Sequence, residues 1–272
     1  PRQLRTHGLD PELVTITPEA LVEIARGYTR EAGVRELERR IARVARKLAR
    51  RAASTPGAAP ARVTVGVGDL RELLGVRQYD EDETLLEDRV GVATGLAFTS
   101  VGGDLLEIEV AVVRGRGRLQ LTGTLGDVLK ESAGAALSYA RSRATMLGID
   151  PDFARTRDVH VHIPAGATPK DGPSAGIAIA AALVSALTGA AVRGDTAMTG
   201  EVTLRGRVLP IGGLKEKLVA ARRGKISHVI IPAQNARELE EIPADIREGL
   251  LCHPVASMDE VLSLALRAER RA

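Results

Sequence analysis

The sequence predicts an α+β protein in which an N-terminal helical subdomain is followed by a mixed α/β domain. Apolar residues in the first part of the chain recur at steps of three and four, which is typical of amphipathic helices. In the remainder, strand-like apolar runs are first clustered and then alternate with helical segments, which indicates a sheet covered by helices. We place the helical subdomain at residues 1–79 and the mixed domain at residues 80–272.

Composition narrows the classes of function. The chain has 272 residues, of which 44% are hydrophobic and only 2% aromatic. So low an aromatic content argues against a protein that binds nucleic acid by stacking bases on aromatic rings. The single cysteine, Cys252, excludes an internal disulfide framework and a cysteine-rich zinc site, and we interpret it as a buried apolar residue. No apolar run is long enough for a membrane span, and no signal-peptide pattern occurs. We therefore expect a cytoplasmic protein, and the missing initiating Met suggests a piece of a longer one.

Two amphipathic segments define the helical subdomain. Thr17, Pro18 and Glu19 supply a hydroxyl cap, a first-turn proline and an acid, which together predict a helix start. Residues 34–52 carry one apolar stripe and predict a second, longer helix. The other faces of that helix are basic: Arg35, Arg39, Arg40, Arg43, Arg46, Lys47, Arg50 and Arg51. We interpret them as a solvated surface, with a nucleotide phosphate, DNA or a neighbouring subunit as alternatives.

The junction between the two domains is marked by composition. Residues 53–60 are rich in Pro and Gly and predict a loop. A short strand at residues 63–67 and a short helix at residues 69–74 follow. Acidic residues 80–83 then open an exposed connector that ends near Asp88, and the domain boundary is placed there.

The second domain is predicted from alternating strand and helix patterns. Strands are expected at residues 90–99, 105–113, 118–122, 159–163, 197–204 and 228–231. Helices are expected at residues 125–146, 174–187 and 214–222, with two further helices after the last strand.

Ser174 is the first candidate catalytic residue. Pro and Gly in residues 168–176 predict a tight loop, and the almost wholly apolar residues 177–187 predict a helix buried on all sides. Ser174 is therefore expected at the mouth of a buried helix, where unpaired N–H groups and the positive end of the helix dipole can stabilise an oxyanion. A simple N-cap serine is the alternative, so the serine alone is a weak signal.

Two known motifs match this segment only in part. Residues 172–176 satisfy G-x-S-x-G, the nucleophile elbow of α/β-hydrolases, but that elbow needs a strand running directly into the serine. Here a loop separates the predicted strand from Ser174. Residues 166–174 also resemble a phosphate-binding loop, but the glycine spacing is wrong and Pro173 stands where the lysine should be. Both motifs fail on context.

Lys217 is the second candidate. It falls on the apolar stripe of a predicted helix, between Leu214 and Leu218, and is expected to point into the protein, whereas Lys215 stays in water. To act as a base near neutral pH, its pKa must fall from about 10.4 by roughly two to three units. Burial and the positive end of its own helix both favour that fall. The alternative is a lysine whose stem covers apolar surface.

The histidines are weaker candidates for the base. His160 and His162 share one face of a strand, and we interpret them as a hydrogen-bonded structural pair because a third metal ligand is lacking. His228 is expected to border a strand and His253 a loop. None has a plainly matched Asp, so a Ser-His-Asp hydrolase remains the runner-up, and no metal site is expected.

Three long motifs together resemble one protein family. Residues 169–176 (PKDGPSAG), 200–206 (GEVTLRG) and 213–217 (GLKEK) resemble the ATP-dependent Lon proteases, including the separation of Ser174 and Lys217. Residues 28–35 (YTREAGVR) look like the small helical subdomain of the AAA+ module in that family, with Arg35 matching its sensor-2 arginine. The resemblance covers essentially the whole chain.

The resemblance implies a serine endopeptidase with a Ser174–Lys217 catalytic dyad, working as a homohexameric ring on misfolded and regulatory proteins. Thr199 matches a threonine of the family that helps to hold the lysine. Asp171 lies beside the nucleophile, and we hypothesise that Asp171 and Pro173 set the active or inactive shape of the loop, because an Asp paired with Lys217 would keep the lysine charged.

The sequence departs from the family pattern in what it lacks. No G-x-x-x-x-G-K-[S/T] motif occurs, so we expect no cofactor for this chain, whereas the resemblance implies ATP and Mg²⁺ for the full-length protein. This chain is expected to cleave peptides without ATP and to fail on folded proteins. Three alternatives remain: a Ser-His-Asp hydrolase, a nucleic-acid-binding module that uses the basic helix, and a phosphate-binding module at the Ser174 loop.

Overall fold

The computed structural model describes residues 1–31, 33–54, 62–79, 86–99, 102–164 and 170–267. The chain divides into two compact units, Pro1–Glu83 and Thr84–Ala272. The predicted acidic connector at residues 80–83 and most of the predicted loop at residues 53–60 lie outside the described residues. The boundary that we placed between residues 79 and 80 stays a prediction.

The first unit is mainly helical. Its elements are α1 (Arg2–Thr6), β1 (Val14–Ile16), α2 (Pro18–Tyr28), α3 (Arg35–Ala53), β2 (Val63–Val65) and α4 (Leu70–Leu74). The two short strands pair in parallel, with Val14 opposite Val63. A single cluster of buried side chains, aliphatic except for Tyr28, from the four helices and both strands forms the core. The two helices predicted from their apolar stripes are confirmed, and the predicted strand at residues 63–67 ends two residues early in a 3₁₀ turn, Val67–Asp69.

Local side chains fix where α2 and α3 begin. The Thr17 hydroxyl accepts a hydrogen bond of 3.1 Å from the amide of Ala20, as expected of an N-cap threonine. At α3 the carboxylate of Glu31 accepts bonds of 2.9 Å from the amides of Glu36 and Leu37. These backbone bonds lower the pKa of Glu31, because they stabilise its charged form. At the start of each helix, a side chain close in sequence therefore satisfies one or two of the orphan N–H groups.

Helix α3 separates its apolar and basic residues by face. Val44, Ala45 and Leu48 are buried in the core of the first unit. Four arginines at helical spacing are exposed: Arg39, Arg43, Arg46 and Arg50. The apolar stripe predicted for this helix is confirmed, and the basic residues cover its exposed side.

The second unit is built on a seven-stranded mixed sheet. Its strands are β3 (Val92–Thr99), β4 (Gly102–Arg114), β5 (Leu119–Thr122), β6 (Arg157–His162), β7 (Thr196–Met198), β10 (His228–Pro232) and β11 (Leu251–Val255), in the order β11-β10-β7-β3-β4-β6-β5. Strands β11, β10, β7 and β3 run parallel, whereas β4 is antiparallel to both of its neighbours. A separate hairpin joins β8 (Glu201–Val202) to β9 (Val208–Leu209).

Helices cover both faces of this sheet. They are α5 (Asp127–Ser142), α6 (Phe153–Thr156), α7 (Gly176–Thr188), α8 (Leu214–Arg223), α9 (Ala244–Arg247) and α10 (Met258–Ala265). Gly95 of β3 faces Ala178 of α7, whereas the next residue, Leu96, packs in one cluster with Leu214 and Leu218 of α8. Because successive residues of a strand point to opposite faces, α7 and α8 lie on opposite sides of the sheet.

One predicted strand is wrong in its extent. We expected a continuous strand at residues 197–204, but the chain forms β7 in the large sheet, turns at Thr199 and Gly200, and forms β8 in the separate hairpin. The Gly200 amide bonds to the carbonyl of Ser174, and the Gly200 carbonyl accepts from the amide of Ile177. These hydrogen bonds direct the chain away from the large sheet after β7. No local pattern in the sequence predicts them.

Two further differences concern a strand and a helix end. Residues 251–255 form the edge strand β11, so the prediction of a loop around His253 is wrong. Pro254 made a strand unexpected here, because proline has no backbone N–H to donate. An edge strand tolerates proline, because its outer side has no neighbouring strand to bond. The helix predicted at residues 125–146 spans only Asp127–Ser142, because the chain leaves the helix at Arg143 and continues in turns.

Within the part of the chain that the structure describes, no helix is both long and apolar enough to cross a membrane.

Candidate active site

Ser174 lies in a short 3₁₀ turn, Pro173–Ala175, that leads directly into α7. The residue before this turn, Gly172, has a φ of 118°, which is a conformation that favours glycine. Every residue from Gly176 to Ser185 is buried, which confirms the prediction of a helix buried on all sides. Ser174 itself is half-buried and lies at the mouth of this helix, where amide groups of the first turn have no intrahelical acceptor.

The turn that carries Ser174 is hydrogen-bonded to the segment that follows β7. The carbonyl oxygen of Ser174 accepts hydrogen bonds from the Gly200 amide at 2.8 Å and from the Thr199 hydroxyl at 3.2 Å. A Cβ on Gly176 would lie only 2.9 Å from the amide nitrogen of Val202, so a glycine is needed where the two segments meet. The serine is therefore held by backbone contacts rather than by its own side chain.

Lys217 comes from the other face of the sheet, in the first turn of α8. Its side chain is 2% exposed, and its Nζ donates a hydrogen bond of 3.1 Å to Oγ1 of Thr199. Burial lowers the pKa of Lys217 from 10.5 to about 8, while the nearby charge of Glu238 opposes the fall. Lys215 is exposed, so the predicted orientations of both lysines are confirmed.

Glycines allow α8 to approach the sheet closely. A Cβ on Gly103 of β4 would fall 2.0 Å from the carbonyl oxygen of Glu216, which leaves no room for any side chain there. Gly213 precedes α8 with a φ of 69°, and a Cβ on it would touch the ring of Phe98 at 3.1 Å. The backbone next to Lys217 therefore lies directly against β4, and the amine reaches the end of β7.

Thr199 connects the two candidates. It is fully buried, and its amide donates to the carbonyl of Ile230 in β10 at 3.0 Å. Its hydroxyl accepts from Lys217 and donates to the Ser174 carbonyl, so one oxygen serves as acceptor and donor at once. The three residues meet at the carboxyl end of the parallel strands β7 and β10, which is where ligands bind in sheets of this kind.

Asp171 contacts α5, whereas our hypothesis considered its pairing with Lys217. Its carboxylate accepts from the amide of Leu129, in the first turn of α5, at 3.1 Å and from the amide of Gly172 at 2.9 Å. A Cβ on Gly126 would collide with this carboxyl group, so the loop lies flat against the start of α5. In the described residues Asp171 therefore anchors the Ser174 loop to α5, and Lys217 takes Thr199 as its hydrogen-bond partner.

His160 and His162 are explained by contacts within the sheet. Nε2 of His160 and Nδ1 of His162 lie 2.8 and 2.7 Å from the hydroxyl of Thr122 on the neighbouring strand β5. The prediction of a hydrogen-bonded structural pair is confirmed. Neither ring reaches Ser174 with these nitrogens, because both are engaged with Thr122.

The other histidine pair lies at the opposite end of β7. Nδ1 of His228 is 2.9 Å from Nε2 of His253, and His228 lies 3.8 Å from the carboxylate of Asp195. Asp195 directly precedes β7 and Thr199 directly follows it, so roughly 10 Å of strand separates this cluster from Ser174. The geometry therefore gives no support to a Ser-His-Asp triad.

Two further expectations concern Arg35 and metals. Arg35 is exposed at the first position of α3, within the first unit. Among the residues that the structure describes, no group of three or more His, Cys, Asp and Glu side chains is arranged to hold a metal ion.

Sequence reasoning missed two residues near Lys217. Asn235 is buried and bonds to both backbone groups of Ile211, just ahead of α8, and Glu238 is the charge that acts on the lysine. Both belong to a 3₁₀ helix, Ala233–Glu240. Their positions in the sequence do not predict that they lie near Lys217, because only the fold brings the two segments together.

Comparisons with known proteins identify the family of this chain. The family model of the Lon protease (S16) C-terminal proteolytic domain matches residues 64–268, and that of the Lon protease AAA+ ATPase lid domain matches residues 5–60. The chain is 52% identical to the Lon protease of Lawsonia intracellularis over 97% of its length, and 53% identical to that of Escherichia coli K12 over 99%. It is 50% identical to Lon protease 1 of Bacillus subtilis over its whole length.

These relatives are much longer proteins. The chain spans 32%, 34% and 35% of the three relatives, respectively. The match therefore covers about a third of each relative and includes a lid domain and a proteolytic domain. The chain belongs to the Lon protease family.

Proposed function

We propose that this chain hydrolyses peptide bonds with Ser174 as the nucleophile and Lys217 as its general base. The observation that carries the proposal is a buried lysine whose amine bonds, through the Thr199 hydroxyl, to the turn of a serine at a helix mouth. Membership of the Lon protease family supports a protease in general.

The reaction follows from the protonation state of the lysine. With a pKa of about 8, a useful fraction of Lys217 is neutral near pH 7 to 8 and can take the proton of the Ser174 hydroxyl. Oγ then attacks the carbonyl carbon of the peptide bond. The new ammonium group gives its proton to the leaving amine, the C–N bond breaks, and an acyl-ester remains on Ser174. A water molecule, activated by the same amine, then hydrolyses the ester.

The oxyanion of the tetrahedral intermediate needs donors in a fixed position. We propose the backbone amides at the start of the Ser174 turn, because the amides of Gly176 and Ile177 already donate to the carbonyls of Pro173 and Gly200, and the dipole of α7 is positive there. Asp171 supports this geometry by holding the loop on α5. Thr199 orients the amine of Lys217.

The test is labelling of the serine by a fluorophosphonate probe, read by mass spectrometry, together with hydrolysis of an unstructured fluorogenic peptide. Wild type is compared with Ser174→Ala and Lys217→Met, and Lys215→Met is the matched control because that lysine is exposed. We expect labelling at Ser174 in wild type and the control, and none in the other two variants. Undiminished labelling in Lys217→Met would refute the lysine as base.

For the longer protein we propose the properties that its family resemblance implies. The chain would form part of a homohexameric ring in the cytoplasm that uses ATP and Mg²⁺ to degrade misfolded and regulatory proteins. Arg35, exposed at the start of α3, would contact the nucleotide phosphates there. Because this chain carries no phosphate-binding loop motif, we propose that by itself it cleaves peptides without ATP. Peptide hydrolysis measured with and without ATP tests this.

A second candidate function rests on the basic face of α3. Arg39, Arg43, Arg46 and Arg50 are exposed at helical spacing, and such a row can contact the phosphates of DNA. If they do, replacing all four by Ala weakens binding to duplex DNA and flattens the dependence of log K on log salt. An equal affinity and slope in wild type and variant would exclude this role.

A further inference from the structure

Asn235 is a buried polar residue that the proposed reaction does not use. Its side chain is 2% exposed and makes three hydrogen bonds. Oδ1 accepts from the amide of Ile211 at 3.0 Å, and Nδ2 donates to the carbonyl of Ile211 at 2.9 Å and to the carboxylate of Glu238. A buried amide that uses both of its donors and accepts one bond in this way holds its partners in fixed positions.

The first partner, Ile211, lies just before the start of α8. Ile211 lies outside any helix or strand, two residues ahead of Gly213, and α8 begins at Leu214. Asn235 satisfies both backbone groups of Ile211, as a neighbouring strand would do. Lys217 follows within the first turn of α8. The place where this helix starts, and hence the reach of its lysine, is therefore tied to the Asn235 side chain.

The second partner is an acid that acts on the lysine. Glu238 is half-buried, and its charge raises the pKa of Lys217 against the larger lowering by burial. Asn235 holds one of its carboxylate oxygens. The orientation of this acid therefore depends on the same amide that fixes Ile211.

Other charged residues also lie on α8 and on the elements packed against it. In β4, Asp104 bonds Arg223, and β3 carries no charged residue. In α9, Arg247 bonds the carbonyl of Ile242. The remaining charged residues of these elements, of α8 and of the 3₁₀ helix are Glu107, Glu109, Arg114, Lys215, Glu216, Arg222, Arg237, Glu240 and Asp245. None of them is a cause of the Lys217 shift, whereas Glu238 is.

We infer that Asn235 is a positioning residue for Lys217. It fixes the start of α8 through Ile211 and directs the carboxylate of Glu238 towards the amine. The inference rests on the proposed function, because it assigns a role towards the proposed base. Asn235 touches neither substrate nor reacting atoms.

The experiment measures peptide hydrolysis across pH for Asn235→Ala and Glu238→Gln. Gln at position 238 can still accept the bond from Asn235 but carries no charge. Ser185→Ala is the matched control, because Ser185 is also fully buried and bonds to two backbone groups, of Gly91 and Ala190, in the C-terminal half of α7. Ser174→Ala and Lys217→Met complete the series.

We expect kcat of Asn235→Ala to fall by about tenfold or more, since small misplacements of a catalytic group are costly. Both Asn235→Ala and Glu238→Gln should move the acid limb of the pH profile to lower pH, by roughly half a unit, because the amine loses a stabilising charge. In Ser185→Ala the limb stays in place.

The outcomes separate this inference from the proposed function. If Ser174→Ala or Lys217→Met keeps wild-type turnover, the dyad is wrong and the role of Asn235 falls with it. If both abolish turnover but Asn235→Ala behaves like Ser185→Ala, only the positioning role is overturned. Should Asn235→Ala fail to fold, Glu238→Gln decides, because an unmoved acid limb in that variant contradicts the inference.

Discussion

Lys217 and Thr199 are joined by a hydrogen bond of 3.1 Å between Nζ and Oγ1, with both side chains buried. The same hydroxyl donates to the carbonyl of Ser174. Helices α7 and α8 lie on opposite faces of the sheet, so the two proposed catalytic residues meet only beyond the carboxyl end of β7. Thr199, directly after β7, is the residue that links them there.

Replacing the buried lysine should stabilise the protein near neutral pH. Below a pH of about 8, Lys217 is protonated in both the folded and the unfolded chain, and its burial costs stability in full. Between about 8 and 10.5 the folded chain has lost the proton while the unfolded chain keeps it, so the cost disappears as pH rises. We expect Lys217→Met to gain roughly 2–3 kcal/mol at pH 7.

The measurement is urea unfolding of wild type and Lys217→Met at pH 7, 9 and 10. The gain should shrink steadily over this range. Lys215→Met should show little change at any pH, because Lys215 is exposed. A gain that is independent of pH would mean that the lysine keeps its charge or titrates elsewhere.

The hydroxyl of Thr199 should matter more than its methyl group. Thr199→Val removes the acceptor of the Lys217 amine and one of the two donors to the Ser174 carbonyl, which leaves the buried amine unpaired. We expect kcat/KM for a peptide to fall by about a hundredfold, which corresponds to roughly 2.7 kcal/mol. Thr199→Ser keeps the hydroxyl and should retain most of the activity. Equal losses in the two variants would show that packing, and not the hydroxyl, is what matters.

Close packing of β4 on α8 should be needed for activity. In Gly103→Ala the new Cβ would meet the Glu216 carbonyl oxygen at 2.0 Å, so α8 must move away from the sheet and carry Lys217 with it. We expect serine labelling to fall at least tenfold and stability to drop by about 1–3 kcal/mol. Gly134→Ala, in the middle of α5 with no atom near its Cβ, is the control and should gain up to about 1 kcal/mol. A fully active Gly103→Ala protein would contradict the close approach.

The carboxylate of Asp171 should act through α5. Asp171→Ala removes the acceptor of the Leu129 and Gly172 amides and should cost about 1 kcal/mol, as the loss of a helix cap does. Turnover should fall because the Ser174 loop is less well held, whereas the acid limb of the pH profile should stay in place. A shifted limb would instead indicate that Asp171 pairs with Lys217 during turnover.

The sequence was informative where a pattern is local. Ser174 could be placed at a helix mouth because a proline- and glycine-rich loop precedes a continuous apolar run. The Lys217 side chain could be predicted to point into the protein because it shares an apolar stripe with Leu214 and Leu218. Both expectations depend on residues a few positions away, which helical periodicity relates directly.

The sequence was less informative where contacts are distant. The break between β7 and β8 comes from bonds between Gly200 and the Ser174 turn, far apart along the chain. The pairs Asn235–Ile211 and Asp171–Leu129 likewise join separate elements. Local patterns cannot encode such pairs, because the fold alone brings them together.

The most direct test of the central claim is the pH dependence of serine labelling by a fluorophosphonate probe. The account predicts that the rate constant for modification of Ser174 rises with pH and levels off above a pKa of about 8. In Lys217→Met, the slow residual rate should show no such rise. A rise centred near pH 6.5 that survives in Lys217→Met would point to a histidine as the base and contradict the account.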